Sequence, residues 1–129
     1  MPTFTLKEIE SIQGSIKFYD LVIDGVNQQE AFKESIKLNN QYMSEYKTIL
    51  AYMDQLANLK TLPETKHRKL KGNKDTSTEY EFKSKHLRIY NYQHDGRGRV
   101  VVFWGLKTSQ NQDLKTFRAL KKSTIENLQ

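Results

Sequence analysis

The fold is decided by the stretch Leu87-Arg-Ile-Tyr-Asn-Tyr92 and Val100-Val-Val-Phe-Trp-Gly-Leu106, with the residues that join the two runs. Both runs are rich in β-branched and aromatic residues, which predicts two strands. The joining segment contains Asp95-Gly96, a strong signal for a hairpin turn, so the strands should be antiparallel neighbours. Because Val100–Trp104 is almost continuously apolar, it is expected to be a central strand covered on both faces.

Further strands are expected upstream of this hairpin. Thr78–Phe82 and Ser15–Ile23 have strand-like composition, and Asp24-Gly25 ends the second of them. Thr3–Ile9 alternates weakly and is either an extra strand that pairs with Ser15–Ile23 or a frayed terminus. The polar, basic segment 63–75 is either a surface loop or an edge strand.

Helices are expected between these strands and at the end of the chain. Asn27 is a suitable N-cap, and apolar residues then recur at helical spacing as far as Ala57. The pair Asn39-Asn40 interrupts this pattern and predicts a hairpin of two helices, 28–38 and 41–60, with a single long helix as the alternative. Asp113 could cap a last helix over residues 111–128.

The chain is therefore predicted to be a single α+β domain over residues 1–129, in which the first 14 residues are an extra strand or a frayed end. A small, antiparallel-rich β-sheet packs against the N-terminal helical hairpin, and a C-terminal helix follows. The helices are expected against one face of the sheet.

Charge is unevenly distributed along the 129 residues, whose net charge is +6. Residues 1–62 carry six lysines and eight acids, a balance of −2, whereas residues 63–129 carry fifteen basic and seven acidic side chains, a balance of +8. A strongly basic half indicates a polyanionic partner. The alternative is that these charges only make an exposed sheet soluble.

Composition also excludes several classes of protein. The absence of cysteine rules out disulfide scaffolds, thiolate zinc sites and cysteine nucleophiles, and the three histidines lack the spacing of metal ligands, so no metal site is predicted. No apolar run approaches the roughly 20 residues that span a bilayer, and residues 1–14 do not resemble a signal peptide. A cytoplasmic protein without a membrane partner is expected.

The basic residues of the second half fall on the predicted strands and their turns. Residues two apart on a strand share a face, so Lys83 and Lys85 should point the same way, and Arg88 can reach the same surface. Tyr90 and Tyr92 also share a face. Lysine and arginine neutralise phosphates and tyrosine rings stack on unpaired bases, so this surface suits RNA unless the tyrosines belong to the core.

An ordered set of segments resembles the RelE/HigB-type toxins of bacterial and phage toxin–antitoxin modules, the RelE/ParE superfamily. The resemblance covers about residues 15–122, and no single segment is specific to the family. The segments that carry it are Ile16–Gly25, the helix pair, Lys69–Gly72, Tyr80–Lys83, Leu87–Tyr92, Val100–Phe103 and Gly105–Gln110.

The resemblance implies a RelE-like fold and a ribonuclease that enters the ribosomal A site and cuts translated mRNA without a metal or cofactor. The substrate's own 2′-hydroxyl attacks the adjacent phosphate. Lys71, Lys83, Arg88 and Lys107 match basic positions of the family and are the candidate catalytic residues. Arg88 and Lys107 would offset phosphate charge and Lys83 would act as the base. All four are expected to converge on one phosphate-sized site.

The remaining candidates would hold RNA, with Lys69 and Lys85 on its backbone. The full set of RNA-binding candidates is Lys69, Lys85, His86, Tyr90, Tyr92, Arg97 and Arg99. The chain departs from the family in two ways: lysine stands at position 83, where many relatives have arginine, and a tyrosine that some relatives place near the C-terminus has no equivalent. His86 or Tyr90 could then be the general acid, although His86 is also a plausible solvated turn residue.

These departures leave other functions open. A protein of the same fold could inhibit a topoisomerase, or could be a degenerate toxin that binds only its antitoxin or nucleic acid. An unrelated RNA-binding module is a third reading. The expected partners of the toxin are the ribosome, mRNA and a cognate antitoxin, which would carry an acidic extended or helical segment and a DNA-binding helix-turn-helix part.

Overall fold

The computed structural model describes residues 2–72, 77–96 and 98–128. They form an α+β fold with a mixed, mostly antiparallel sheet of seven strands and three helices. In chain order the elements are β1 (Phe4–Glu8), β2 (Lys17–Ile23), β3 (Val26–Asn27), α1 (Gln28–Ile36), α2 (Asn40–Ala57), β4 (His67–Lys69), β5 (Glu79–Lys83), β6 (Leu87–His94), β7 (Gly98–Leu106), a 3-10 turn (Lys107–Ser109) and α3 (Gln110–Asn127).

The predicted hairpin forms the middle of the sheet. β6 and β7 are antiparallel from Leu87 opposite Leu106 to His94 opposite Gly98, with a bulge beside Tyr90. On its other side β7 runs parallel to β2, a pairing that the sequence did not indicate. The strand order is β1-β2-β7-β6-β5-β4, and β3 pairs with β2. β7 is therefore central, as its apolar run predicts.

The two open alternatives for short strands are both resolved in favour of strands. β1 pairs with β2 in antiparallel register, with Phe4 opposite Ile23, so the N-terminal segment is an extra strand. β4 pairs with β5, with His67 opposite Phe82, and lies at the edge of the sheet. The basic segment before β5 is thus partly an edge strand, and residues 73–76 lie outside the described part of the chain.

The N-terminal helical segment consists of two helices rather than one. The Asn27 side chain accepts hydrogen bonds from the backbone N–H groups of Gln29 at 2.9 Å and Glu30 at 3.2 Å, which starts α1 as predicted. Asn39 caps α2 in the same way, accepting from the N–H of Tyr42 at 2.9 Å. The first asparagine of the pair therefore starts the second helix, three residues after α1 ends at Ile36.

The helices cover both faces of the sheet, which corrects the expectation that they lie against one face. α1 and α2 enclose a core that includes Phe18, Ile89 and Val101. α3 covers the opposite face, where Phe117 stacks on Tyr90 with ring centroids 5.5 Å apart. The reason is that the neighbouring residues of β7 are apolar on both sides of the strand, so each face needs a cover.

Asp113 does not cap α3 as predicted. The N-cap position is Ser109, and Asp113 lies one turn further on, where its Oδ2 accepts a hydrogen bond from the Ser109 hydroxyl at 2.6 Å. Its carboxylate packs against Gly105, since a Cβ built at that glycine would lie 2.3 Å from Asp113 Oδ2. A negative charge in the first turn still favours the helix N-terminus.

A buried polar chain fixes α2 to α1 and to the sheet. The Tyr46 hydroxyl donates to Gln29 Oε1 at 2.6 Å, and Gln29 Nε2 donates to Asp20 Oδ1 at 2.8 Å. Burial raises the pKa of Asp20. This chain of hydrogen bonds holds α2 in place against α1 and the sheet.

Within the described ranges, none of the helices combines the length and apolar character needed to cross a membrane.

Candidate nucleic-acid interface

The tight turn between β5 and β6 gathers most of the predicted catalytic residues. Lys83 and Arg88 are directly opposite each other across the two strands, and the N–H of Ser84 donates to Leu87 O at 3.1 Å to close the turn. The N–H of Lys107 donates to His86 O at 2.7 Å, which adds the start of the 3-10 turn to the same end of the sheet. We call Lys83, Lys85, His86, Arg88 and Lys107 the turn cluster.

The three lysines of the turn cluster are available to a ligand. Lys85 and Lys107 are exposed and Lys83 is half-buried. Among the residues that the structure describes, no side chain forms a hydrogen bond or an ion pair with any of these ammonium groups. They are positive charges that a phosphate backbone can neutralise without first breaking an internal contact.

Arg88 differs from the lysines because it is buried, with 8% of its surface exposed. Its Nη1 donates to Ser84 O at 2.6 Å and to Leu87 O at 2.8 Å, so the guanidinium braces the turn. Its Nε is buried and has no hydrogen-bond partner in the described part of the chain. Arg88 is therefore placed beside Lys83 as predicted, but part of its hydrogen-bonding capacity is already used.

Glu45 of α2 is the anion that holds the turn from the other side. Its Oε1 accepts from the Ser84 hydroxyl at 2.5 Å and from the His86 N–H at 2.7 Å, and its Oε2 accepts from Gln41 Nε2 at 2.9 Å and lies 2.6 Å from His86 Nδ1. Burial alone would raise the pKa of this carboxyl, but the hydrogen bonds from Ser84, His86 and Gln41 outweigh it and lower the pKa to about 2. Glu45 is an anion at neutral pH.

His86 is consequently an oriented side chain and not a freely solvated turn residue. Nδ1 faces the Glu45 carboxylate, and the ring packs on Tyr42 with centroids 5.4 Å apart. The side chain is still 38% exposed. A histidine held by one ring nitrogen and open at the other can exchange a proton with a bound ligand.

Lys69 and Lys71 lie elsewhere on the molecule. The N–H of Leu70 donates to Glu79 O, so the next residue, Lys71, lies opposite Thr78. Thr78 is five residues before Lys83, which at about 3.3 Å per residue of strand is a separation of about 16 Å. The prediction that the four catalytic candidates converge on one phosphate-sized site is wrong for Lys71. Lys69 and Lys71 instead line a cleft of about 660 Å³, together with Glu64, Arg68, Leu70 and Leu114.

Tyr90 and Tyr92 belong to the core and cannot stack on RNA bases, which corrects their assignment as RNA-binding residues. Both rings are buried beneath α3. Burial, with a smaller contribution from Glu81, raises the pKa of Tyr90, and burial raises that of Tyr92 to about 12. Neither hydroxyl has a partner in the described part of the chain, and Tyr90 is not placed to act as a general acid.

Arg99 is also buried, which corrects its prediction as an RNA contact. Its guanidinium lies 3.7 Å from the centre of the Tyr80 ring, and Nη1 donates to Asn91 Oδ1 at 3.2 Å. Burial lowers the pKa of Arg99 to about 10. The arginine therefore serves the packing of β5, β6 and β7, while Arg97, the other predicted contact in this hairpin, lies outside the described residues.

Glu45 and Ser84 are the residues of this site that the sequence reasoning missed. A signal for Glu45 exists, because it lies between Tyr42, Tyr46 and Ile49 on the buried stripe of α2, where a carboxylate requires a partner. Nothing in the sequence identifies that partner. The contact joins residues 39 and 41 positions apart, beyond the reach of any local pattern.

The comparisons with known proteins do not name a family for this arrangement. No family model, curated protein or solved structure matches the chain. Within the described residues, no group of three or more histidine, aspartate or glutamate side chains could hold a metal ion. The chemistry of the site must be argued from its own side chains.

Proposed function

We propose that this chain is the toxin of a type II toxin–antitoxin module and a ribosome-dependent, metal-independent mRNA endonuclease of the RelE/HigB type. The observation that carries the proposal is the turn cluster. Three lysines without a side-chain partner among the described residues and a braced arginine lie around one tight turn, beside a histidine that a buried carboxylate orients. Cations and a proton-exchanging group at one place are what phosphodiester cleavage requires.

The proposed reaction is a transfer within the RNA. The 2′-oxygen forms a bond to the adjacent phosphorus, the bond from phosphorus to the 5′-oxygen breaks, and the products are a 2′,3′-cyclic phosphate and a 5′-hydroxyl. Lys83, as the uncharged amine, takes the proton of the 2′-hydroxyl and becomes the ammonium. Arg88 and Lys107 offset the charge that develops on the phosphate, and Lys85 contacts the neighbouring backbone.

Partners and cellular location follow from the same proposal. In the proposed RelE-like arrangement, α1 and α2 are the helical hairpin of the family and support the sheet, whose cationic end enters the ribosomal A site. The antitoxin would cover that end with an acidic extended or helical segment and carry a DNA-binding helix-turn-helix part. The protein would act in the cytoplasm.

Induction of the protein in bacteria tests this proposal. We expect growth arrest and mRNA cuts at A-site codons. Lys83→Ala and Lys107→Ala should each reduce cleavage about 100-fold, the effect of removing one charge-stabilising group. Lys122→Ala removes an exposed lysine of α3 and is the matched control, because it changes net charge equally at a distance from the turn. A folded wild-type protein that neither arrests growth nor cuts mRNA on ribosomes would sink the proposal.

A second candidate, a non-catalytic protein of the same fold, is favoured by the state of Arg88. Its Nη1 is committed to Ser84 and Leu87, which leaves less of the guanidinium for a phosphate. Such a protein would inhibit a topoisomerase, or would only bind its antitoxin or nucleic acid. Sedimentation with ribosomes without cleavage, or growth arrest with induced DNA damage, would favour this candidate over the nuclease.

A further inference from the structure

We infer that His86 is the residue that protonates the leaving 5′-oxygen, and that Glu45 is its positioning residue. The inference rests on the proposed nuclease activity. The inference goes beyond that activity by identifying the general acid, and by identifying Glu45 of α2 as a residue that affects the reaction only through His86.

The evidence is the way in which one carboxylate is shared between the turn and the histidine ring. Oε1 takes the two bonds that fix the turn, from the Ser84 hydroxyl and the His86 N–H. Oε2 takes the bond that fixes the ring, at 2.6 Å from Nδ1. Since Glu45 is an anion at neutral pH, Nδ1 must be the donor in this contact.

The consequence is a defined tautomer. With its proton on Nδ1, a neutral His86 has its lone pair on Nε2, and the protonated ring carries its transferable proton there. Nε2 forms no hydrogen bond to any residue that the structure describes, and the ring is partly exposed. If Glu45 only anchored the turn, its two hydrogen bonds to Oε1 would be enough. A role of His86 in proton transfer explains the additional contact between Oε2 and His86 Nδ1.

The position of the ring relative to the cations supports this role. Ser84 is contacted from both sides: its carbonyl accepts from Arg88 Nη1 at 2.6 Å and its hydroxyl donates to Glu45. Lys107 is bonded through its N–H to His86 O. Arg88 and Lys107, the residues proposed to hold the phosphate, are therefore both bonded to the turn that carries the acid.

The proposed step balances. As the bond from phosphorus to the 5′-oxygen breaks, its electron pair goes to that oxygen, and the proton on His86 Nε2 moves to it to give the 5′-hydroxyl. His86 is left neutral, with its remaining proton on Nδ1 and directed at Glu45. General acid catalysis of this kind contributes about 100- to 10,000-fold to the rate.

Glu45→Gln separates positioning from anchoring. The Oε1 position receives two donors, so the amide oxygen of the glutamine should occupy it and keep the turn in place. The amide NH₂ then lies at the Oε2 position and donates to His86 Nδ1, which moves the ring proton to Nε2. Gln41, whose NH₂ donates to Oε2 in the wild type, turns its amide oxygen toward the new donor. With Nδ1 held as an acceptor, the ring is kept from the doubly protonated form that gives up its Nε2 proton and retains Nδ1–H, so proton delivery to the leaving oxygen is impaired.

The experiment combines the nitrogen NMR spectrum of the histidine rings with single-turnover cleavage of mRNA on ribosomes. The full-length wild type at pH 8 should show the Nδ1–H tautomer for His86, and Glu45→Gln should show the Nε2–H tautomer. Cleavage should fall about 100-fold or more in Glu45→Gln and equally in His86→Gly, with no further loss in the double variant. His94→Ala, at the far end of β6, is the matched histidine control.

Each outcome decides the inference. Cleavage by Glu45→Gln at the wild-type rate, or an Nε2–H tautomer in the wild type, would overturn it and leave the nuclease standing. A wild type with the expected tautomer and no cleavage would overturn the nuclease and with it the catalytic use of His86. If Glu45→Gln does not fold, His86→Gly carries the test: added imidazole should restore cleavage, and failure to do so overturns the inference.

Discussion

Glu45→Gln also makes a prediction about stability, because the buried carboxylate couples folding to pH. The pKa of Glu45 is lowered from the ordinary value of 4.5 to about 2. A carboxyl with a lower pKa in the folded chain stabilises it above the unfolded value, and this stabilisation is lost as the pH falls toward the folded value. The contribution is about 3 kcal/mol at pH 6 and about 1 kcal/mol at pH 3, at about 1.4 kcal/mol for each pKa unit.

Urea denaturation of both proteins at pH 6, 4 and 3 measures this contribution. We expect Glu45→Gln to be less stable than the wild type at pH 6, and the difference in unfolding free energy to shrink by about 2 kcal/mol at pH 3. Other carboxyls, including the buried Asp20, titrate in both proteins and cancel in the difference. A difference that stays constant or widens toward acid pH would refute the assignment of Glu45 as a strongly hydrogen-bonded anion.

Three further substitutions test the packing of the helices on the sheet. Tyr90→Phe removes a buried hydroxyl that has no partner among the described residues, so the free energy of unfolding should stay equal or rise by up to about 1 kcal/mol, and RNA cleavage should be unchanged. A large loss of cleavage would return Tyr90 to the catalytic candidates. Glu79→Gln weakens the buried ion pair with Lys121, with an expected loss of about 3 kcal/mol in a urea melt. Gly14→Ala places a Cβ 2.5 Å from the carbonyl oxygen of Ala57 and should lower the melting temperature by several degrees, whereas an unchanged melt would contradict that close contact.

Local patterns predicted the elements of the fold well, because their causes are local. Asn27 and Asn39 cap the two helices that the sequence indicates, and Asp95-Gly96 lies at the turn of the central hairpin. The parallel pairing of β2 with β7 was not predicted. It joins residues about 80 positions apart, such as Asp20 and Val101, and no turn or spacing signals such a contact.

The errors for Tyr90 and Tyr92 have one physical origin, which is the position of α3. Strand alternation correctly puts Tyr90 and Tyr92 on one face with Arg88, but it does not say whether that face meets water. Phe117 covers it, so the tyrosines become core. The alternation of a strand assigns residues to faces, whereas the packing of a distant helix decides which of those faces can bind RNA.

The site therefore divides into two sets of residues with separable effects. Lys83, Lys85 and Lys107 have no partner in the described chain, so removing one should weaken RNA binding and reduce its salt dependence. Arg88 and Glu45 are buried and bonded to the same turn, so changing either should alter the rate of cleavage more than the salt dependence of binding. A cationic surface that only made the sheet soluble would not need a buried carboxylate to orient a partly exposed histidine. This contact between Glu45 and His86 is the feature of the turn cluster that favours a catalytic role over charge alone.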